Sequence, residues 1–243
     1  MSLFHEAYLF QPRDFTRVVL PYVRDVTTSS HGYARLRADA LRLYDSNQQV
    51  RDLADEYGGW DRQGIMTAFP DRHPDSLDDT AFWVRLLLYG HLTRLPDRRL
   101  GLNGYWRLLD EVLTRLGWDD ARRCLLIKGR DFNDLEKERA DKQGSDNIGS
   151  AQTIWDHVAK SFQSGSAGWI TCEDAHDLLQ HLTGDQQRIG SLLDTATPPS
   201  MQEQDIAQIK TDQKLLDEAY RPALDMLRAA LEHHAGLCMI ISG

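Results

Sequence analysis

The run Leu237-Cys238-Met239-Ile240-Ile241-Ser242, which follows Gly236 at the end of a long helical pattern, constrains the fold more than any other stretch of this chain. It is apolar and partly β-branched, and a chain end of that kind frays unless the rest of the molecule ties it down. A strand docked into a sheet meets the requirement. Near the other end, Ala7-Tyr8-Leu9-Phe10 is aromatic-rich and stops before Pro12, so it also reads as a strand.

The intervening periodicities are helical. Asp14 is placed to cap a short helix carrying Phe15, Val18 and Val19, with Pro21 limiting it. From Ser30, the positions Tyr33, Leu36, Ala40, Leu43, Asn47, Val50, Ala54 and Tyr57 recur at spacings of three and four until Gly58-Gly59. Asn47 interrupts that seam, as a register-fixing polar residue or, more simply, as a break at Ser46-Asn47. A turn of helix is expected around Ile65 to Ala68. A longer helix over 78–95 is apolar around most of its circumference and belongs deep in a core. Asn103 is the expected cap of the next helix, with Tyr105, Leu109, Val112 and Leu116 inward and Gly117 closing it. Leu125-Leu126-Ile127 is too short to assign.

Large apolar residues then nearly vanish over 130–151, which reads as an exposed charged linker or insertion, or as a solvated helix followed by a loop. Ile154, Trp155 and Val158 mark a helix over 151–162, and Ser164 to Gly168 reads as a flexible turn. Trp169-Ile170 suits a short strand or a hydrophobic staple, and Thr171 with Asp174 matches a capping box opening a helix that Gly184 ends. Residues 195–204 read as loop. In the last helix Leu216, Tyr220, Leu224, Leu227 and Leu231 share a face, with Pro222 as a kink or restart. The expected fold is a single, mainly helical α+β domain over 1–243, with a small sheet containing the N- and C-terminal strands.

Totals exclude several functional classes. A hydrophobic content of 41% is that of a folded globule. A net charge of −9, from 28 Lys+Arg against 37 Asp+Glu, disfavours nucleic acid as a partner. The strongest apolar run, Phe82 to Tyr89, is broken by Arg85 and falls far short of the roughly 20 residues of a membrane span. Three widely spaced cysteines, Cys124, Cys172 and Cys238, suit reduced cytoplasmic thiols better than a disulfide framework. No membrane association is expected.

The candidate chemistry is sparse. Cys172 at a helix start, with His176 on the same face four residues later, is the one arrangement resembling a thiol nucleophile with its base. Asp177 and His181 also share a face, and His157 could join them on a metal. His176 and His181, however, lie roughly 140° apart around a helix, and no tight H-x-x-x-H pair exists. Surface or capping histidines are the simpler reading, and His233-His234 suits the negative end of a helix dipole. The glycine clusters match no phosphate-binding loop, so no cofactor and no metal is expected. Between Arg85 and Arg130, ten Lys/Arg stand against five Asp/Glu. That excess is either a basic face for an acidic partner or a solvated surface balanced elsewhere.

The opening Ala7-Tyr8-Leu9-Phe10 strand with its Asp14-led helix, the Trp169-Ile170-Thr171-Cys172-Glu173-Asp174-Ala175 helix start, and the close from Ala229-Ala230 through Gly236 to Ser242 together resemble the YfbM-like family of bacterial proteins. The resemblance covers about the first 20 and the last 75 residues. It implies an α+β domain whose terminal strands lie near each other, and it brings no catalytic residues. The function expected from the residues is binding of another protein, as a regulatory or immunity-type factor. The alternative is an enzyme with a site assembled from distant residues, such as a Cys/His-dependent hydrolase using Cys172, His176, Asp177 and His181.

Overall fold

The computed structural model describes residues 4–28, 30–69, 77–134, 154–158, 166–193 and 216–242. Its centre is the apolar C-terminal run. Strand β5 (Gly236–Ser242) pairs antiparallel with β1 (Phe4–Phe10) along its whole length, from Phe10↔Gly236 to Phe4↔Ser242. Its other edge takes β4 (Ser166–Ile170). The far edge of β1 is shared by two short strands, β2 (Leu92–Thr93) beside Leu9 and Phe10 and β3 (Leu100–Asn103) beside His5 and Ala7.

Helices cover both faces of this sheet, which explains why β5 reads as unbroken hydrophobic sequence rather than as an alternation. Cys238 and Ile240 face one way, with Tyr8, Phe10, Ala167 and Trp169. They pack on α1 (Pro12–Thr28), α2 (Ser30–Ser46), α3 (Gln48–Glu56), α4 (Arg62–Ala68) and α5 (Leu77–Tyr89). Leu237, Met239 and Ile241 face the other way, with Ala7, Leu9 and Ile170. They meet α6 (Trp106–Arg115), α7 (Asp120–Ile127), α8 (Cys172–Gly184), α9 (Gln186–Leu193) and α10 (Arg221–Glu232). The fold is thus α+β, as its patterning implies.

Several local expectations are corrected. Helix α1 continues through Pro21, whose ring is exposed, because Val19, Leu20, Val23 and Val26 are buried on either side of it. Tertiary burial outweighs the lost hydrogen bond. Val18 lies outward, 48% exposed. The seam of 30–57 breaks at Ser46-Asn47, the simpler of the two readings of Asn47, into two helices. Asn47 leaves the helical region and its side chain accepts from the Val50 N–H, capping α3. The helix expected over 78–95 ends at Tyr89, and Leu92–Thr93 turn back as β2. A Cβ on Gly90 would lie 2.5 Å from the tip of the Leu43 side chain, so the turn packs closely against α2. Every residue from Thr80 to Tyr89 is buried, as its all-round apolar pattern requires.

Asn103 does not cap α6. It ends β3 with φ of 48°, and α6 starts without a side-chain cap, although Gly117 does close the helix, at φ of 83°. Residues 120–127, unassigned from sequence, form α7, capped by Asp119. Within the expected turn of 164–168, the described residues 166–168 belong to β4. Gly168 serves there as a crossing point, since a Cβ would stand 2.1 Å from the Lys128 carbonyl oxygen. Of the charged stretch 130–151, residues 130–134 are described. Arg130 exchanges backbone hydrogen bonds with Trp169 at 2.8 and 3.1 Å, and Phe132 and Asn133 are buried. The rest of that stretch, and the loop expected over 195–204, lie outside the described residues.

Ile154, Trp155 and Val158 are buried in a helical turn over 154–158. The Thr171–Asp174 capping box is present with both of its hydrogen bonds. Pro222 marks a restart: a π-helical turn at Leu216–Tyr220 passes into α10, with the proline in its first turn. Among the described residues no helix is long and apolar enough to cross a membrane.

Candidate functional site

Of the residues singled out from sequence, Cys172, His176, Asp177 and His181 lie along α8, and Cys172 and His176 have separate partners. Cys172 is half-buried at the helix start, and its Sγ lies 3.9 Å from the Ala230 carbonyl oxygen on α10. His176 is exposed and faces Gln180, Nε2 to Nε2 at 3.3 Å. Asp177 and His181 pair at 3.5 Å on the outer face, while His157 bonds Asp78 at 2.6 Å in the other helical layer. Among the described residues no three His, Cys, Asp or Glu side chains converge as a metal site.

The arginines of 85–130 do not make one basic face. Arg85 is buried over the Phe82 ring. Arg115, Arg122, Arg123 and Arg130 pair with Glu111, Asp119, Asp110 and Asp174 respectively. Arg94, Arg98 and Arg99 sit together on the segment that joins β2 to β3, and these lead to the site.

Alternation along β1 points Glu6 and Tyr8 toward the α1–α5 layer. The pairing of β1 with β3 shifts between His5 and Ala7, so segment 94–99 leaves the sheet edge and bends over Glu6 and Tyr8. Tyr57, where α3 ends, approaches from the helical layer. The Tyr8 and Tyr57 hydroxyls are 2.7 Å apart, Tyr8 Oη is 3.0 Å from Glu6 Oε2, and the Tyr57 hydroxyl donates to the same carboxylate oxygen. Arg94 Nη2 donates to Tyr8 Oη at 3.1 Å and to Glu56 at 2.6 Å. Proton counting orders the chain: Arg94 fills an acceptor site on Tyr8, and each phenol has one hydrogen to pass toward Glu6.

Burial raises the ionisation of Tyr8 well above the usual tyrosine range. It raises Tyr57 further, helped by the negative charges that Tyr8 and Glu6 would set against a phenolate. Burial by itself would lower Arg94, but the bonds to Tyr8 and Glu56 more than reverse that and keep it cationic. At neutral pH the Arg94 cation is therefore followed in series by two phenols that keep their protons. The hollow beside Glu6, Tyr8 and Arg94, bordered by Leu95, Arg98, Arg99 and Leu100, has a volume of about 10 Å³. That is room for one water and no more. Arg98 pairs with Glu232 at 2.8 Å and Arg99 with Glu6 at 3.8 Å, leaving their side chains 39% and 76% exposed.

His5, one residue earlier on β1, points into the opposite layer and is wholly buried. Its Nε2–H donates to the Ile127 carbonyl at 2.8 Å and its Nδ1 accepts from the Leu102 N–H at 3.1 Å. Burial lowers its pKa to about 4, against the raising effects of the Ile127 bond and the Glu6 charge. Elsewhere, an open groove of about 580 Å³ is lined by Tyr220, Arg221, Leu224, Asp225 and Arg228 with Gln186 and Gln187.

Sequence reasoning missed the Glu6 cluster because it has no motif: its members come from positions 6, 8, 56, 57 and 94. One signal was present, the adjacent polar pair His5-Glu6 inside a strand that is otherwise apolar or aromatic. Compared with models of protein families, with curated proteins and with solved structures, the chain matches none.

Proposed function

We propose that this protein is a non-enzymatic binding factor of the regulatory or immunity type, and that Arg98 and Arg99 hold an acidic segment of a partner protein. The observation that carries this reading is the rim they form: two exposed guanidinium groups beside a polar hollow with space for a single water. The Arg98–Glu232 pair is exposed on both sides and contributes about 1 kcal/mol or less, and Arg99 stands 3.8 Å from Glu6 with its own side chain 76% exposed, so both guanidinium groups can turn to partner carboxylates at small cost. Planar guanidinium donors match carboxylates in bidentate fashion. Phe4, 51% exposed and on the same face of β1 as Glu6, offers apolar contact beside the charges. The acidic total of the chain favours a protein over a nucleic acid as the partner.

Three free thiols support placing this activity in the reducing cytoplasm. The pairing of β1 with β5 and the capped start of α8 are consistent with kinship to YfbM-like proteins, which is part of the proposal. The test is affinity capture on immobilised wild-type protein beside Arg98→Glu/Arg99→Glu. A stoichiometric acidic partner, released by high salt and missing from the variant, is expected. Equal capture by both refutes the rim. Turnover of a substrate that is lost in both Cys172→Ala and His176→Ala would install the hydrolase reading instead.

A further inference from the structure

We infer that His5 is a proton-operated clasp: when its ring takes a second proton, β3 parts from β1 and carries the arginine segment 94–99 with it. The geometry begins at the bulge. His5 stands opposite Asn103 and Ala7 opposite Leu100, so two residues of β3, Gly101 and Leu102, face one residue of β1. Gly101 can occupy that point because it has φ of 128° and no Cβ, which would otherwise lie 2.4 Å from the His5 carbonyl oxygen. The displaced Leu102 N–H bonds the His5 ring. A side chain thus completes the β1–β3 ladder.

The two ring nitrogens respond differently to a proton. Nε2–H donates to Ile127 of α7 in both forms. Nδ1 accepts from Leu102 only while it is unprotonated, and afterwards donor faces donor in a buried site. Protonation therefore breaks the contact with β3 and spares the one with α7. Of the elements around the ring, β3 presents an amide, α7 a carbonyl, and β1 the Glu6 carboxylate, whose charge acts on the ring and favours the cation. Strand β3 is four residues long, and its departure opens the ring to water. The loss of a bound partner that would follow rests on the function proposed above; the strand movement does not.

Amide hydrogen exchange, corrected for intrinsic rates, reads the opening of residues 94–103 directly. With the ring at about 4 in the closed state and 6.5 when free, the opening constant rises by up to about tenfold per pH unit and reaches about 80-fold by about pH 4.5. Residues 237–241 of β5 should stay protected throughout, and the imidazole signal of His5 should titrate together with the opening. In His5→Gln, which offers an amide donor and acceptor without titrating, the profile should be flat. Unchanged protection of β3 in the wild type, the same slope in His5→Gln, or parallel loss of protection in β5 would each overturn the clasp. Wild-type β3 and β5 can be compared even if the variant does not fold, and partner capture at neutral pH tests the arginine rim separately.

Discussion

Replacing Tyr57 with phenylalanine tests whether the Arg94–Tyr8–Tyr57–Glu6 chain acts as one unit. The substitution keeps the ring and its packing against Tyr8, whose centroid is 6.5 Å away, and removes one hydroxyl. That hydroxyl donates to a carboxylate and contacts Tyr8. A hydrogen bond to a charged group is worth about 1.5–3 kcal/mol, and without Tyr57 the Tyr8 hydroxyl, 3.0 Å from Glu6, is free to turn its one hydrogen to the carboxylate, so Tyr57→Phe should cost about 2 kcal/mol. Tyr8→Phe removes the other phenol and one acceptor of Arg94, whose side chain is 38% exposed and partly compensated by water, so a similar cost of about 2 kcal/mol follows. Because the 2.7 Å bond between the phenols is lost in either single variant, the double variant should cost about 3 kcal/mol rather than 4. Urea unfolding followed by tryptophan fluorescence measures all three, with an unchanged m-value showing that the folded and unfolded states stay comparable. Additivity within about 0.3 kcal/mol, or a cost for Tyr57→Phe below about 0.5 kcal/mol, refutes a coupled chain.

Burial pushes the Cys238 thiol well above its usual range, whereas Cys124 is exposed. A thiol reagent should modify Cys124 of the native protein quickly and Cys238 only as the chain unfolds; equal rates would contradict the buried central strand. Gly168→Ala should lower stability by about 2 kcal/mol or more, because its Cβ would meet backbone carbonyl oxygens at 2.1 and 2.8 Å, and a melting temperature within a degree or so of wild type would show that the 128–130 crossing yields easily. Tyr8, Tyr57 and Tyr89 all ionise well above the free phenol because burial disfavours the phenolate. The folded chain thus keeps protons that the unfolded chain releases above about pH 10, so their contribution is intact below that pH and is lost as pH rises past it. An alkaline spectrophotometric titration should leave these three of the eight tyrosines protonated until unfolding; all eight titrating reversibly near the ordinary value would refute their burial.

What was legible in the sequence follows the range of the forces involved. The terminal strands, the all-round apolar helix at 80–89 and the Thr171 capping box depend on residues close in sequence, and these were readable. Helix ends failed where a distant element decides them. Tyr89 ends α5 because the following residues are needed beside β1, and Gln49 of α3 donates to the Tyr89 and Leu92 carbonyls. Pro21 failed as a stop because two flanking turns are buried. Asn103, read as a cap, has a side chain suited both to capping and to left-handed backbone, and the sheet edge uses the latter. The Glu6 cluster was invisible for the same reason as the sheet order: a motif is local, and Tyr57 reaches Glu6 across 51 positions.

The bulge at His5 to Ala7 gathers these strands of argument into one joint. Successive side chains of a strand point to opposite faces, so His5 and Glu6 reach into different helical layers from adjacent positions. On one face Glu6 is joined through Tyr57 to the end of α3; on the other His5 is joined to the end of α7. Both also bear on the chain of 94–103, Glu6 through Arg99 and, by way of Tyr8, Arg94, and His5 through Leu102. That segment holds its place by side-chain bonds drawn from both layers, with few ladder bonds of its own. Such attachment is firm while every partner is present and weak to the loss of the His5 bond, which leaves the Leu102 N–H without a partner in a buried site. The arginine rim is thereby carried on the segment that the proposed clasp ties to the protonation of His5.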